Sequence, residues 1–231
     1  VRPFDDADVR IRRLIDEGIP EINHSLGGQT LEMGERFMEL KKRYPLIGKY
    51  VHIYHPDLQS PMDVCELLWG SRLFLVVVDQ PELVMKLLSL VTDMYIRYMK
   101  QWDEIVAEKN DGFAVHWHCL HRGHIMLRDD SAMNFSAEMY GEFIKPYNQK
   151  LLNKFNGGAV HFCGTGDHFI DQLAEMDGIY AIDMRQPYLN DLEKIFANTI
   201  DRGIQLIRFP QETARQLAAS GRNLHGNVHC W

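Results

Sequence analysis

The stretch "GGAVHFCGTGDHF", residues 157–169, places a histidine and a cysteine two positions apart at the end of a short apolar run. Side chains alternate along a strand, so His161 and Cys163 share one face and Phe162 takes the other. An imidazole and a thiolate so placed both reach one tetrahedral zinc ion, and a catalytic zinc takes three protein ligands and leaves a fourth position open. The plainer alternative is packing, because free cysteines are often buried and a strand histidine can be satisfied by hydrogen bonds alone. Gly164 and Gly166 follow directly, and their bare backbone would let a cofactor approach closely. Three carboxylates are further candidates. Asp129 and Asp130 close "HIMLRDD", and Asp183 lies in "IYAIDM". Each is read as an acid, a base or a holder of a substrate polar group, against the alternative of a helix cap or a backbone-amide acceptor. The stretch "HWHCLHRGH" adds His116, His118 and Cys119, in a spacing that matches no familiar zinc pattern.

The elements that must position these residues follow from periodicity. "DDADVRIRRLIDEG" predicts a helix stopped by Gly18, and "TLEMGERFMELKKRY" a second, with Thr30 as its cap and Pro45 as its terminator. "RLFLVVVD" predicts a buried strand. Pro81 opens a long helix that Asn110-Asp111-Gly112 ends. "FAVHWHC" and "HIMLRDD" are strand-like, and Ser136 caps the helix "AEMYGEFIKPYNQKLLNKF". Strands "GAVHFCG", "IYAIDM", "IQLIRF" and a last one in "NLHGNVHCW" then alternate with helices. That rhythm means βαβ units and a parallel sheet. No G-x-G-x-x-G follows a strand, so an eight-stranded (β/α) barrel of the TIM type is expected, with catalytic residues at the C-terminal ends of its strands. The clean units are too few for eight, and the chain opens at Val1 in helix-like sequence. A single domain over residues 1–231, with its N-terminal portion missing, is the expectation.

At this point the sequence resembles a family. "LRDDSAMNFSAEMYGEFIKPYNQKL" and "GAVHFCGTGDHFIDQLAEMDGIYAIDM" look like the core of the uroporphyrinogen decarboxylase superfamily, and "HPDLQSPMDVCELLWGSRLFLVVVDQPELVMKLL" resembles its middle segment. The H-x-C-G of His161 to Gly164 is similar to the branch of zinc-dependent, corrinoid-linked methyltransferases. That resemblance implies one zinc ion and methyl transfer between a methyl-corrinoid, carried by a partner protein, and a thiol-type acceptor. It also implies a third ligand, a cysteine from a later strand. Cys230 is the only downstream cysteine, with His225 and His229 as rivals. A decarboxylase acting on a tetrapyrrole is the second reading, although no arginine-rich glycine loop of that family is visible. A non-catalytic barrel that binds a tetrapyrrole or a protein is the third.

Composition narrows the rest. The 231 residues are 45% hydrophobic and 25% charged, enough for a sizeable core. A net charge of -7 argues against nucleic-acid partners. Four scattered cysteines, with no C-x-x-C pair, fit reduced thiols in a cytoplasm. "LFLVVV" is far too short to span a bilayer, and no signal peptide is visible, so no membrane association is expected.

Overall fold

In the computed structural model, residues 6–107 and 111–230 are described. Six helices come first: α1 (Ala7–Glu17), α2 (Ser25–Arg43), α3 (Pro45–Tyr50), α4 (Pro61–Trp69), α5 (Leu73–Asp79) and α6 (Pro81–Ile105). Proline occupies the first turn of α3, α4 and α6, where its missing N–H costs nothing. A hairpin of β1 (Phe113–His116) and β2 (Cys119–Arg122) follows. The chain then alternates: β3 (Ile125–Arg128), α7 (Ala137–Phe143), α8 (Lys145–Lys154), β4 (Gly158–Phe162), α9 (Ile170–Ala174), β5 (Ile179–Met184), α10 (Leu192–Asn198), β6 (Gln205–Phe209), α11 (Gln211–Ala219) and β7 (Val228–Cys230). Strands β3 to β7 form one parallel sheet in sequential order. Among the described residues these five strands form an open sheet with edges at β3 and β7, and closure into a barrel is not seen. No described helix is long and apolar enough to cross a membrane.

Burial explains the order. β4 is buried at every position, as expected for a strand covered on both faces. On the helix side Leu127, Val160, Phe162, Ile182, Leu206 and Phe209 join one large core that also takes in Ile11, Leu87 and Tyr140. On the inner side Met126, Ala159, Ala181 and Ile207 pack under Trp117 and Cys119, so the β1–β2 hairpin lies across the hollow of the sheet. The stretch after α3 covers the free edge of β3: His55 Nε2 accepts from the Met126 amide at 3.1 Å, and the Ser60 amide donates to the Arg128 carbonyl at 3.1 Å. A covered edge cannot recruit another strand.

Several expectations are corrected. "LFLVVVD" is not a strand but α5, with Leu73, Val76 and Val77 buried and Leu75 and Val78 exposed. Those buried positions follow the helical period, and a six-residue apolar run is too short for its own pattern to select between periods. Thr30 lies inside α2, where its hydroxyl donates to the Leu26 carbonyl at 2.8 Å, because the helix already begins at Ser25. α6 ends at Ile105, and residues 108–110, including the expected stop at Asn110, lie outside those described. "FAVHWHC" is not one strand but the first strand and turn of the hairpin. Ser136 does cap its helix, accepting from the Met139 amide at 3.2 Å.

Candidate metal centre

Register brings the site together. Arg128 on β3, His161 on β4 and Asp183 on β5 are ladder partners, so their side chains stand in a row on the inner face. Cys163 follows β4 on the same face. Asp130 enters from the short turn after β3, which Asp63 of α4 holds by accepting the amides of Asp130 at 3.0 Å and Ser131 at 2.8 Å. Asp130 Oδ1 lies 3.3 Å from His161 Nε2, and Cys163 Sγ lies 3.5 Å from the same nitrogen. These are the C-terminal ends of the strands, where barrel folds place their chemistry.

Among the described residues, Asp130, His161 and Cys163 form the one group of three ligand atoms mutually close enough for a metal ion. His161 Nδ1 lies 3.0 Å from Asp183 Oδ2, which fixes the proton on Nδ1 and leaves Nε2 to face the other two. Arg208 Nη1 donates to the same Asp183 oxygen at 3.0 Å, holding the carboxylate in place. Asp130 Oδ1 is buried and its close contacts are His161 and Cys163, the other two members of the group. A nitrogen, a sulfur and an oxygen donor, backed by a carboxylate behind the histidine, fit zinc.

The electrostatics agree. Burial alone would lower the His161 pKa, but hydrogen bonds to Asp130 and Asp183 and their charges outweigh it and raise it to about 9. Burial and the neighbouring Asp130 push the Cys163 thiol up to about 11. For Asp130, burial pulls upward but the His161 contact wins and holds the carboxyl below its ordinary value. Without a metal, protons therefore occupy the positive positions that a dication would take.

Arg128, Arg185, Arg208 and Trp117 complete a cavity of about 210 Å³ around the triad. Trp117 stands edge-on to His161 at 5.2 Å, with the Arg128 and Arg208 guanidinium groups 4.5 Å and 5.0 Å from its ring. It reaches there from the two-residue turn of the hairpin, where Trp117 (φ 46°) and His118 (φ 70°) both adopt left-handed backbone. Arg208 (φ 55°) is the extra residue of an irregularity between β6 and β7, and that bulge turns it inward toward Asp183. Arg128 also pairs with Asp57.

Other expected residues lie elsewhere. Asp129 does not reach the cavity: it is buried on the helix side, where Asn148 Nδ2 donates to it at 2.7 and 2.9 Å and the Tyr140 hydroxyl at 3.3 Å. Consecutive residues leave a strand on opposite sides, so only one of the two aspartates can serve the site. Asp183 touches His161 rather than the open space, which makes it a positioning residue. The amides of Gly164 and Gly166 are already taken by Gln186 Oε1 and Asn190 Oδ1, each at 2.7 Å, so neither is available to a cofactor. Gly164 is glycine because its φ is 75°, and Gly166 because a Cβ there would strike the Phe162 ring. Cys230 is exposed on β7 and registers with Phe209, whose side chain faces the helices, so it does not join the triad. His225 pairs with Asp201 at 3.1 Å, before β6 at the opposite end of the sheet, and His229 is three strands from β4.

No family model matches the sequence, and no curated protein matches it. One solved structure is informative. The fold is similar to that of a methyltransferase from Methanosarcina mazei. The likeness has a TM-score of 0.58 at 16% sequence identity and covers 92% of this chain and 60% of that one. This chain thus spans about three-fifths of the length of the protein it resembles, and what the two share is the fold.

Sequence reasoning took Asp130 as an acid or base and not as a candidate metal donor, and it missed Arg128, Arg185, Arg208 and Trp117 altogether. The one signal available was Arg128, two residues before Asp130 on a strand ending beside "HFC". The bulge that aims Arg208 and the turn that aims Trp117 carry no glycine to announce them.

Proposed function

We propose that this chain is a methyltransferase that moves a methyl group between a corrinoid and a thiol-type acceptor, with one zinc ion held by Asp130, His161 and Cys163. The observation that carries the reading is the convergence of three unlike donor atoms at the strand ends. The H-x-C-G resemblance and the likeness in fold to a methyltransferase add support. Zinc held there would supply the Lewis acidity that keeps a substrate thiol as a nucleophilic thiolate at neutral pH.

The chain's own residues do the rest. Asp183 holds the Nδ1 proton of His161 and so aims Nε2 at the site. Asp63 grips the turn that carries Asp130. Arg128, Arg185 and Arg208 make the cavity wall positive, which favours an acceptor with an anionic group. Trp117 closes one side against water. The methyl-corrinoid, delivered by a partner protein, would meet the acceptor at this rim. A decarboxylase acting on a carboxylated tetrapyrrole is the second reading, favoured by the same three arginines.

Metal analysis and a methyl-transfer assay test the proposal. Methylcobalamin and 2-mercaptoethanol serve as probes: the sulfur gains the methyl group, the thiol proton goes to solvent, and cobalt keeps the electron pair of the broken bond, which is visible by absorbance. About one zinc per chain is expected, with content falling sharply in Asp130→Asn and Cys163→Ser and unchanged in Cys230→Ser. A metal-free protein after metal-replete expression sinks the reading. Loss of zinc in Cys230→Ser but not in Asp130→Asn moves the third ligand to β7.

A further inference from the structure

A second cavity, of about 120 Å³, lies between residues 52–55, the C-terminal end of α6 and strand β1. Tyr54, Trp102, Phe113, His116 and His124 line it, so its wall is largely aromatic. Phe113 and Leu120 on its border are exposed, which opens it to solvent. The carboxylate on the wall, Asp103, is already engaged by His124 at 2.9 Å.

Hydrogen bonds beside this cavity fix where the protons sit. His121 Nδ1 lies 2.9 Å from the Arg122 carbonyl, which can only accept, so that nitrogen carries a proton. Burial, with the charge of His124 adding to it, holds the His121 pKa below its ordinary value and the ring neutral, so its Nε2 is an acceptor. His116 Nδ1, 2.7 Å from that Nε2, therefore donates to it. Burial also holds His116 well below its ordinary value, which leaves its own Nε2 as a bare lone pair. That atom is buried and has no hydrogen-bond partner among the described residues. The ring of His55 is 4.3 Å away but cannot serve it, because His55 Nδ1 meets the Pro56 carbonyl at 2.7 Å and His55 Nε2 accepts the Met126 amide. The Nδ1 edge of His116 faces His121, which is not part of the cavity wall, so the Nε2 edge is the one left for the cavity. A buried acceptor without a donor is costly, and a guest that brings a donor relieves that cost.

We infer that this cavity binds a small neutral aromatic molecule bearing a hydroxyl or a ring N–H, which donates to His116 Nε2 while its ring packs against Tyr54, Trp102 and Phe113. Size agrees, since an apolar cavity of roughly 150 Å³ takes up benzene, and one six-membered ring is about what this space holds. Offset or edge-on contact with aromatic walls favours a flat guest over an aliphatic one. The site is separate from the metal centre and does not depend on how that centre is read. His116 nevertheless directly precedes Trp117, which walls the metal cavity, so a guest here holds the base of the turn that carries that wall.

The test uses the full chain with phenol and fluorobenzene, two rings of similar size of which only the first carries a donor. By calorimetric titration, phenol is expected to bind at least about tenfold more tightly than fluorobenzene. His116→Phe keeps a ring but removes the lone pair, and it should abolish that preference with circular dichroism unchanged. Nitrogen NMR of the parent gives a readout that needs no variant: the His116 Nε2 signal should be that of an unprotonated, unbonded nitrogen, and should move with phenol but not with fluorobenzene. Cys163→Ser should bind phenol like the parent. Equal affinity for the two rings, no binding of phenol, or a phenol preference that survives His116→Phe overturns the inference. So does loss of phenol binding in Cys163→Ser, which assigns the guest to the metal centre, and so does an Nε2 signal already that of a hydrogen-bonded nitrogen without phenol, which assigns the acceptor to a bound water.

Discussion

Asp183→Asn separates two effects of one carboxylate. Asp183 orients His161 for zinc, and it also raises the imidazole pKa, which sets a proton in competition with the metal. Loss of a carboxylate behind a ligating histidine costs about 10- to 100-fold in metal affinity. Against that stands the proton. With a pKa of about 9, His161 is protonated in all but about one molecule in a hundred at pH 7, which weakens zinc binding about 100-fold, or roughly 2.7 kcal/mol. At pH 9 the same competition is only about twofold. Asp130 still raises the imidazole, so the substitution lowers its pKa only part of the way from about 9, and the proton competition eases at pH 7 but hardly changes at pH 9. The expected outcome is a variant whose zinc affinity is about 5- to 50-fold weaker than the parent's at pH 9 and less weakened at pH 7. Competition titrations with a chromogenic chelator at the two pH values measure both. A loss larger at pH 7 than at pH 9 refutes the reasoning, because the proton would then not be the competitor.

The remaining expectations concern protons and packing. Because His161 and Cys163 are both protonated at pH 7, zinc uptake should release about two protons per ion, falling toward one above pH 9, as read by calorimetry in buffers of different ionisation enthalpy. In metal-free protein the raised His161 pKa contributes stability that is complete below about pH 6.5 and is lost as pH rises through about 9, a decline of about 3 kcal/mol in urea titrations, which zinc-loaded protein should not show. Asn148→Ala strips both amide contacts from the buried Asp129 carboxylate and should cost about 3 kcal/mol by the same titration, with zinc content kept. His118→Gly relieves an exposed left-handed residue in the hairpin turn and should raise stability by about 0.5–1 kcal/mol; a fall would mean that the turn is held by the His118 side chain.

Much of the architecture was legible in the chain. Strands β3 to β7 and their helices follow from apolar runs alternating with amphipathic stretches, because a strand covered on both faces must be apolar throughout and its crossover helix on one side only. The pairing of His161 with Cys163 was legible too, since a period of two along a strand needs no neighbour. The third donor was not. Asp130 and Cys230 are equally plausible as residue types, and what separates them is register: Asp130 leaves β3 beside His161, while Cys230 pairs with Phe209 and faces the helices. Nor did the sequence mark the cavity wall. Trp117 and Arg208 arrive through left-handed backbone at positions with no glycine, conformations that local propensity disfavours and only the surrounding packing can impose. "LFLVVV" became a helix for a related reason, its β-branched run being overruled by a core that wanted Leu73, Val76 and Val77 on one side. Local pattern thus determined which residues could bind a metal and which segments would carry them. Contacts between residues far apart in the chain decided which donors meet, because register and bulges depend on neighbouring strands that no short stretch of sequence contains.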